Sequence, residues 1–473
     1  MATSTRQEIL QQLKELAGPG GYLDERIDIE PYETDFRRLY KGSTPLVLRP
    51  DSTERVSRIM KFCFETGTPV VPVGGNTGYC GGATPDESGE QVVLSLARLN
   101  KIRGLDPLNY TLTADAGCTL AQVQEAAEKV QRLFPLSMGS EGSCQIGGNL
   151  STNAGGTAVL RYGNTRDLVL GIEAVLPDGS VIENLKGLRK DNTGYDWKNL
   201  FIGAEGTLGV VTAAVLKLYP MPRSYGTALV ALRDLDASVE LLSLLREQSG
   251  DSVTTFELIP RLALELTTRH IDGVTDPLGK VYDWYVLLEL SCATEESQTQ
   301  ALLELLLGEG FEREIVLDAA LASSGAQREA MWRMRESIPE AQSHEGPSIK
   351  HDVSVQVRKM PAFVSEATSL VKTLVPGCRV VSYGHLGDGN VHFNLSPAEG
   401  DRDPVFLEQA GRVNHAVHEL IDQYGGSISA EHGIGRLKRE ELAVYKSASE
   451  IGLMRKIKAA LDPSGIMNPG KVI

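Results

Sequence analysis

The sequence predicts an α+β fold in two domains, and three observations carry that expectation. The chain has 473 residues, more than one hydrophobic core usually serves. From Val70 to Val211 it is dense in Gly, Asn and Thr, with short β-branched runs between. Pro220-Met221-Pro222 then breaks the chain, and longer alternating strand and helix patterns follow. The expected organisation is a first domain over 1–222, a second over 223–426, and a C-terminal segment over 427–473 that returns to the first domain.

The elements follow from periodicity. Met1–Ala17 reads as a polar amphipathic helix containing Glu8 and Glu15. It lacks the apolar core of a signal peptide and the Arg-rich, acid-poor character of a transit peptide. Gln91–Leu96, Leu168–Leu176 and Leu208–Leu218 read as buried strands, and Leu120–Val130 as a helix. In the second domain, strands are expected at Thr227–Leu232, Val253–Leu258, Tyr282–Leu290 and Val353–Val357. Helices are expected between them at Asp236–Gln248, Glu295–Leu307, Gln327–Gln342 and Val364–Leu374. Such alternation suits an antiparallel sheet backed by helices.

Composition narrows the function class. Apolar residues make up 41% and charged residues 23%, the balance of a folded globular protein. A net charge of −15 argues against nucleic acid, because phosphate binding needs a concentrated cationic face. Cys63, Cys80, Cys118, Cys144, Cys292 and Cys378 are scattered without CxxC pairing, which suits reduced thiols. No stretch approaches the ~18 unbroken apolar residues of a membrane span. A cytoplasmic protein with no membrane span is expected.

Three glycine-rich clusters hold the densest signal. The first is Pro69-Val-Val-Pro-Val-Gly-Gly-Asn-Thr-Gly78, where a strand enters a turn carrying Gly74, Gly75 and Gly78. Backbone N–H groups of such a turn can converge on an anion such as pyrophosphate, or the turn can be purely structural. The second comprises Gly139-Ser-Glu-Gly142 and Ile146-Gly-Gly-Asn-Leu-Ser-Thr-Asn-Ala-Gly-Gly156; the third is Gly203-Ala-Glu-Gly-Thr-Leu-Gly209. Three clusters together favour a ligand over chance. A nicotinamide Rossmann site requires GxGxxG between a strand and a helix with an acid ~20 residues on, and no segment meets that description.

These motifs resemble the FAD domain of the vanillyl-alcohol-oxidase type flavoproteins, over nearly the whole chain, with the D-2-hydroxyacid dehydrogenases as the most similar branch. The resemblance implies a two-part FAD-binding domain and an antiparallel-sheet α+β substrate (cap) domain. It implies FAD held by Pro72, Gly74, Gly75, Asn76, Thr77 and Gly78, with the pyrophosphate over the 74–78 loop. Gly139, Gly142, Gly148, Asn149, Thr152, Asn153, Gly155, Gly156, Gly206, Val211 and Asn468 complete the implied set. Some relatives attach flavin through a His in the first loop. Here that stretch holds Asn76 and Thr77 and no His, so FAD is expected to be noncovalent, and attachment at Cys80 or Cys144 is a minor alternative.

The second informative stretch is Gly384-His-Leu-Gly-Asp-Gly-Asn-Val-His-Phe-Asn394. His385 and His392 flank a Gly-rich turn, and His392 and Asn394 share a face if the end is a strand. Downstream, Ser429-Ala-Glu-His-Gly-Ile-Gly435 offers Glu431 and His432. Two imidazoles and a carboxylate suit Zn²⁺ or a similar divalent ion with positions left open; hydrogen-bonded turn histidines are the alternative. The resemblance implies a metal site of His385, His392 and Glu431. It also implies His432 as the base that takes the substrate hydroxyl proton, and an unperturbed imidazole pKa near ~6.5 suits that task. His415 and His418 lie i,i+3 on an expected helix and read first as a solvated face.

Arg335 and Lys350 are the remaining cations of interest, in Met334-Arg-Glu336 and Ile349-Lys-His-Asp-Val-Ser354. They could pair with substrate carboxylates or form surface salt bridges. The resemblance to D-2-hydroxyglutarate dehydrogenases implies the former, with Asn394 and His432 as further substrate contacts. D-lactate dehydrogenases of the family lack that Lys as a rule. Where some relatives carry a Thr four residues after the Arg, this chain has Pro339, which offers no hydroxyl.

The activity implied is FAD- and metal-dependent oxidation of D-2-hydroxyglutarate to 2-oxoglutarate, with D-malate as a second candidate substrate. The alternatives are a D-lactate or glycolate dehydrogenase of the same fold and a flavin-carrying subunit with no oxidation of its own. An electron-transfer flavoprotein is the implied acceptor, and a homodimer the expected assembly.

Overall fold

A computed structural model describes residues 5–473. The chain forms two compact units. One runs up to Gly155 and takes in Asn164–Pro220 and His432–Ile473; the other holds Gly156–Gly163 and Met221–Glu431.

The first helix, Arg6–Ala17, starts at a capping box in which Thr5 accepts from Glu8 N and the Glu8 carboxylate accepts from Thr5 N at 2.7 Å. Met1 to Ser4 of the expected helix lie outside the described residues. Four strands, β1 (Tyr22–Leu23), β2 (Val47–Leu48), β3 (Val70–Val73) and β4 (Val92–Ser95), form a sheet in the order β1-β2-β4-β3. β2 and β3 run parallel to β4. Such strands are buried on both faces, which is why Val70-Val-Pro-Val73 reads as an unbroken apolar run. The connecting helix Thr53–Thr66 buries Val56, Ile59, Met60 and Cys63 against this sheet, the i, i+3, i+4, i+7 stripe of an amphipathic helix. The C-terminal segment joins the same sheet, Val70 N donating to Ile466 O and Asn468 N to Val70 O, both at 2.8 Å.

A second sheet in this unit is antiparallel. Its strands are β5 (Ile102–Asp106), β6 (Thr111–Asp115), β8 (Val169–Val175), β9 (Val181–Glu183) and β10 (Val210–Lys217), in the order β5-β6-β10-β8-β9. Short strands β7 (Arg132–Leu133) and β11 (Tyr219–Pro220) pair separately. The buried Glu173 on β8 accepts from the Thr53 and Thr212 hydroxyls and from Arg103, so its charge is matched where it is desolvated.

The second unit is built on seven antiparallel strands: β12 (Ser224–Leu232), β13 (Val253–Pro260), β14 (Trp284–Cys292), β15 (Val316–Leu321), β16 (Ile349–Ser354), β17 (Arg379–His385) and β18 (Asn390–Ser396). Their order is β15-β12-β14-β13-β17-β18-β16. Helices Gly325–Glu336 and Ile338–Ser343 pack Met331, Met334, Ile338 and Ala341 onto Leu229, Leu287, Val381 and Tyr383 of the sheet.

Two expectations change here. The single helix expected over Gln327–Gln342 is two, meeting at Ser337. Pro339 has no N–H for a continuous ladder and sits in the first turn of the second helix, where none is needed. The strand expected at Val353–Val357 lies instead at Ile349–Ser354. Its polar residues Lys350 and Asp352 pair with Asn394 and His392 of β18, so pairing rather than an apolar run defines it.

Candidate functional site

In the first unit a cleft open to solvent is lined by Pro72, Gly74–Gly78, Gly148, Asn149, Thr152, Gly206 and Val211. Tyr79, Cys80, Gln145, Glu205 and His432 add polar and aromatic groups to its lining. Close backbone packing builds it. A Cβ on Gly75 would lie 2.1 Å from Ser143 O, and Gly206, at φ +71°, would drive one to 2.9 Å from the Pro72 ring. Neither position accepts a side chain without moving main chain. The His432 ring meets Tyr79 edge-on at 4.6 Å, and Tyr79 stacks on Phe36 at 5.6 Å.

The other sequence-predicted cofactor residues fall outside this lining. Gly139 and Gly142 lie in the loop before the Ile146–Ser151 helix. Asn153, at φ +50°, accepts from Arg166 N through Oδ1 at 2.9 Å. Gly155 is buried in the first unit and Gly156 begins the short stretch assigned to the second. Asn468 donates to Gly82 O and Glu205 O at 2.9 and 2.8 Å, tying the C-terminal segment to the third glycine cluster and to the chain just past the first. Glu205 is a residue that sequence reasoning passed over. Burial raises its pKa, opposed by the Ile434 and Gly435 amides that donate to it at 2.7 and 2.8 Å. Its place between two glycines of Gly203–Gly209 was the available signal.

These residues fit a flavin. Glycine backbone from three segments of the chain lines the cleft, so a planar ligand can approach main chain there. Gln145 Oε1 is buried there with no hydrogen-bond partner among the described residues, leaving an acceptor for a bound N–H group.

In the second unit the site is one face of the sheet. Along β18, Val391, Phe393 and Leu395 are buried in the core, so Asn390, His392, Asn394 and Ser396 point the other way. Register brings Lys350 opposite Asn394, Asp352 and Tyr383 opposite His392, and Glu257 opposite His385. The β17–β18 turn, closed by Gly389 at φ +86°, brings His385 and His392 together with ring centroids 5.5 Å apart. Glu431 arrives alongside because its N–H donates to Asp352 Oδ2 at 2.8 Å.

Ligand atoms of His385, His392 and Glu431 lie within 4.8 Å of one another, and His385 Nε2 is 3.8 Å from Glu431 Oε1. Donors on a tetrahedral zinc at 2.0–2.1 Å sit ~3.3 Å apart, so a small closure would let this nitrogen–nitrogen–oxygen set hold a divalent cation. Burial raises the Glu431 pKa, with Asp352 and Asp388 adding to the rise and His385 opposing it.

Three polar residues that sequence reasoning missed support this face. The buried Glu257 carboxylate takes His385 Nδ1 at 2.6 Å and Arg335 Nη2 at 2.6 Å. Burial opposes its ionisation, yet those two cations hold its pKa at about 2. Burial likewise disfavours charge on His385, but Glu257 outweighs it and lifts the imidazole to about 9. Asp352 holds Glu431, and Gln342 Oε1 accepts from Asn394 Nδ2 at 3.0 Å. Arg335 is thus buried and paired, whereas Lys350 is exposed on the same face. His351 and His418 are buried core imidazoles in edge contact at 5.7 Å.

Comparison with known proteins places the chain in a flavin family. A family model for FAD linked oxidases, C-terminal domain, matches residues 221–472, and one for an FAD binding domain matches 44–184. Mitochondrial D-2-hydroxyglutarate dehydrogenase of Arabidopsis thaliana is 38% identical over 460 residues, covering 97% of this chain and 80% of that protein. D-2-hydroxyglutarate dehydrogenase of Xanthomonas citri pv. viticola is 37% identical over 450 residues, covering 95% and 93%. The solved structure of p-cresol methylhydroxylase superposes with a TM-score of 0.76 over 98% of this chain and 96% of that one, at 17% identity. It shares the vanillyl-alcohol-oxidase type fold. No helix among the described residues is long and apolar enough to cross a membrane. The chain is therefore an FAD-dependent hydroxyacid dehydrogenase and belongs to the FAD-linked oxidase family, with relatives named D-2-hydroxyglutarate dehydrogenase along nearly its whole length.

Proposed function

We propose that the protein oxidises D-2-hydroxyglutarate to 2-oxoglutarate, with D-malate as a second substrate. The observation that carries the proposal is the sheet face on which a two-histidine, one-carboxylate set converges beside Asn394 and Lys350. The names of the relatives support the same substrate.

Bound FAD supplies the hydride acceptor at N5, and a bound divalent ion, zinc by its donor set, supplies a Lewis acid toward the 2-hydroxyl and C1 carboxylate. His385, His392 and Glu431 hold the ion. His432, the next residue after Glu431, takes the hydroxyl proton on an imidazole nitrogen. Arg335 and Lys350 receive the two carboxylates, and Asn394, its amide oriented by Gln342, fixes the substrate between them. FAD is held noncovalently by the glycine clusters, since no histidine stands in the 74–78 loop. An electron-transfer flavoprotein as acceptor, a homodimer and a cytoplasmic location complete the proposal; all six cysteines are free thiols, which supports a reducing compartment.

Anaerobic D-2-hydroxyglutarate should bleach the yellow protein faster than D-lactate or glycolate. EDTA should abolish that bleaching without releasing flavin. Equal bleaching by D-lactate refutes the substrate, and rapid bleaching in protein shown by elemental analysis to hold no metal refutes the ion.

A further inference from the structure

Glu257 is a fully buried carboxylate in the middle of β13, and both of its oxygens are committed. Oε1 lies 2.6 Å from His385 Nδ1 across the ladder, and Oε2 accepts from Arg335 Nε at 2.8 Å and Nη2 at 2.6 Å. An ionised carboxylate only accepts, so the proton between it and His385 sits on Nδ1. With Nδ1–H committed to Glu257, Nε2, the atom 3.8 Å from Glu431, is the nitrogen that gives up its proton when a metal binds. On its other side the same carboxylate fixes the plane of the Arg335 guanidinium, which also lies over Tyr383 at 4.8 Å.

We infer that Glu257 is a positioning residue that sets the metal ligand His385 and the substrate-binding Arg335 together. The inference rests on the proposed metal site and deepens it. A carboxylate behind a ligating imidazole fixes its tautomer and ring orientation. Here one carboxylate performs that task and aims a guanidinium as well, so metal affinity and substrate binding depend on a residue that touches neither.

The geometry also supplies a control. Glu289 on β14 is buried on the same face, accepting from Arg328, Trp332 and Thr227, and Thr255 pairs with it across the ladder. It anchors the same Gly325–Glu336 helix, yet none of the proposed ligands is among those partners.

The test titrates Zn²⁺ against a chromophoric chelator in FAD-loaded, metal-stripped full-length protein. Glu257→Gln, whose amide NH₂ cannot accept, must lose either the His385 or the Arg335 bond. Zinc affinity should fall about 10–100-fold and KM for D-2-hydroxyglutarate should rise, whereas Glu289→Gln should lower the melting temperature and leave zinc affinity within about twofold. Equal loss in both variants, or wild-type zinc affinity in Glu257→Gln, overturns the inference alone. A wild-type protein that takes up no zinc overturns it together with the metal site. A measurement on the wild type needs no variant: long-range ¹H–¹⁵N NMR should find His385 protonated at Nδ1 in the zinc-loaded protein, and a proton on Nε2 would refute the inference.

Discussion

Gly148→Ala separates the stability of the flavin domain from its affinity for flavin, and the structure sets the sign of each. A Cβ at Gly148 would find only Gly74 Cα, at 4.0 Å, so the methyl meets ordinary contact distance and otherwise open space. Within the Ile146–Ser151 helix, alanine is favoured over glycine by about 0.8–1.0 kcal/mol. The cofactor-free variant should therefore melt no lower than the wild type. The same methyl is added to the wall of the cleft, where an extra group against a closely fitted ligand costs about 1–3 kcal/mol. FAD affinity should fall roughly 5–150-fold. Gly75→Ala is the contrast: its methyl would meet Ser143 O at 2.1 Å, so the cofactor-free protein itself should be destabilised. Quenching of flavin fluorescence on titration into stripped protein gives the affinity, and scanning fluorimetry gives the melting point. Wild-type FAD affinity in a well-folded Gly148→Ala protein would mean that the flavin does not lie in this cleft.

Two further predictions address the chemistry. His432→Ala should slow flavin reduction by D-2-hydroxyglutarate about 10²–10⁴-fold, the usual size of a lost general base, with FAD and zinc retained; an unchanged single-turnover rate removes His432 from that role. Lys350→Met should lower kcat/KM for D-2-hydroxyglutarate relative to D-lactate by about 1–2 kcal/mol, because solvent around this exposed lysine screens it below the 2–5 kcal/mol of a desolvated pair. An unchanged substrate ratio would move the distal carboxylate elsewhere.

Arg335 illustrates how structure alters a sequence-level argument. In an acidic chain an arginine beside the histidine motif reads as a spare cation for the substrate. Folding brings Glu257 from 78 residues away to pair with it at 2.6 Å, so the arginine is held in place by a carboxylate of the chain itself rather than standing as a spare cation. The glycine clusters behave differently. Their signal is local, because a loop that packs main chain against main chain must omit Cβ atoms wherever it lies in the fold.

The sequence by itself determined the two-part α+β architecture and the glycine clusters of the flavin domain, since these rest on residue types repeated at short spacing. The pairing of His385 and His392 with Glu431, which lies in a distant segment, was legible only through the resemblance. Only the tertiary structure decided that Ile349–Ser354 is a strand, that Asp352 holds Glu431, and that Glu257 stands behind His385. The reason is register: a strand shows its neighbours every second residue, and which residues those are depends on a partner strand far along the chain, as for Glu257 and His385 at a separation of 128.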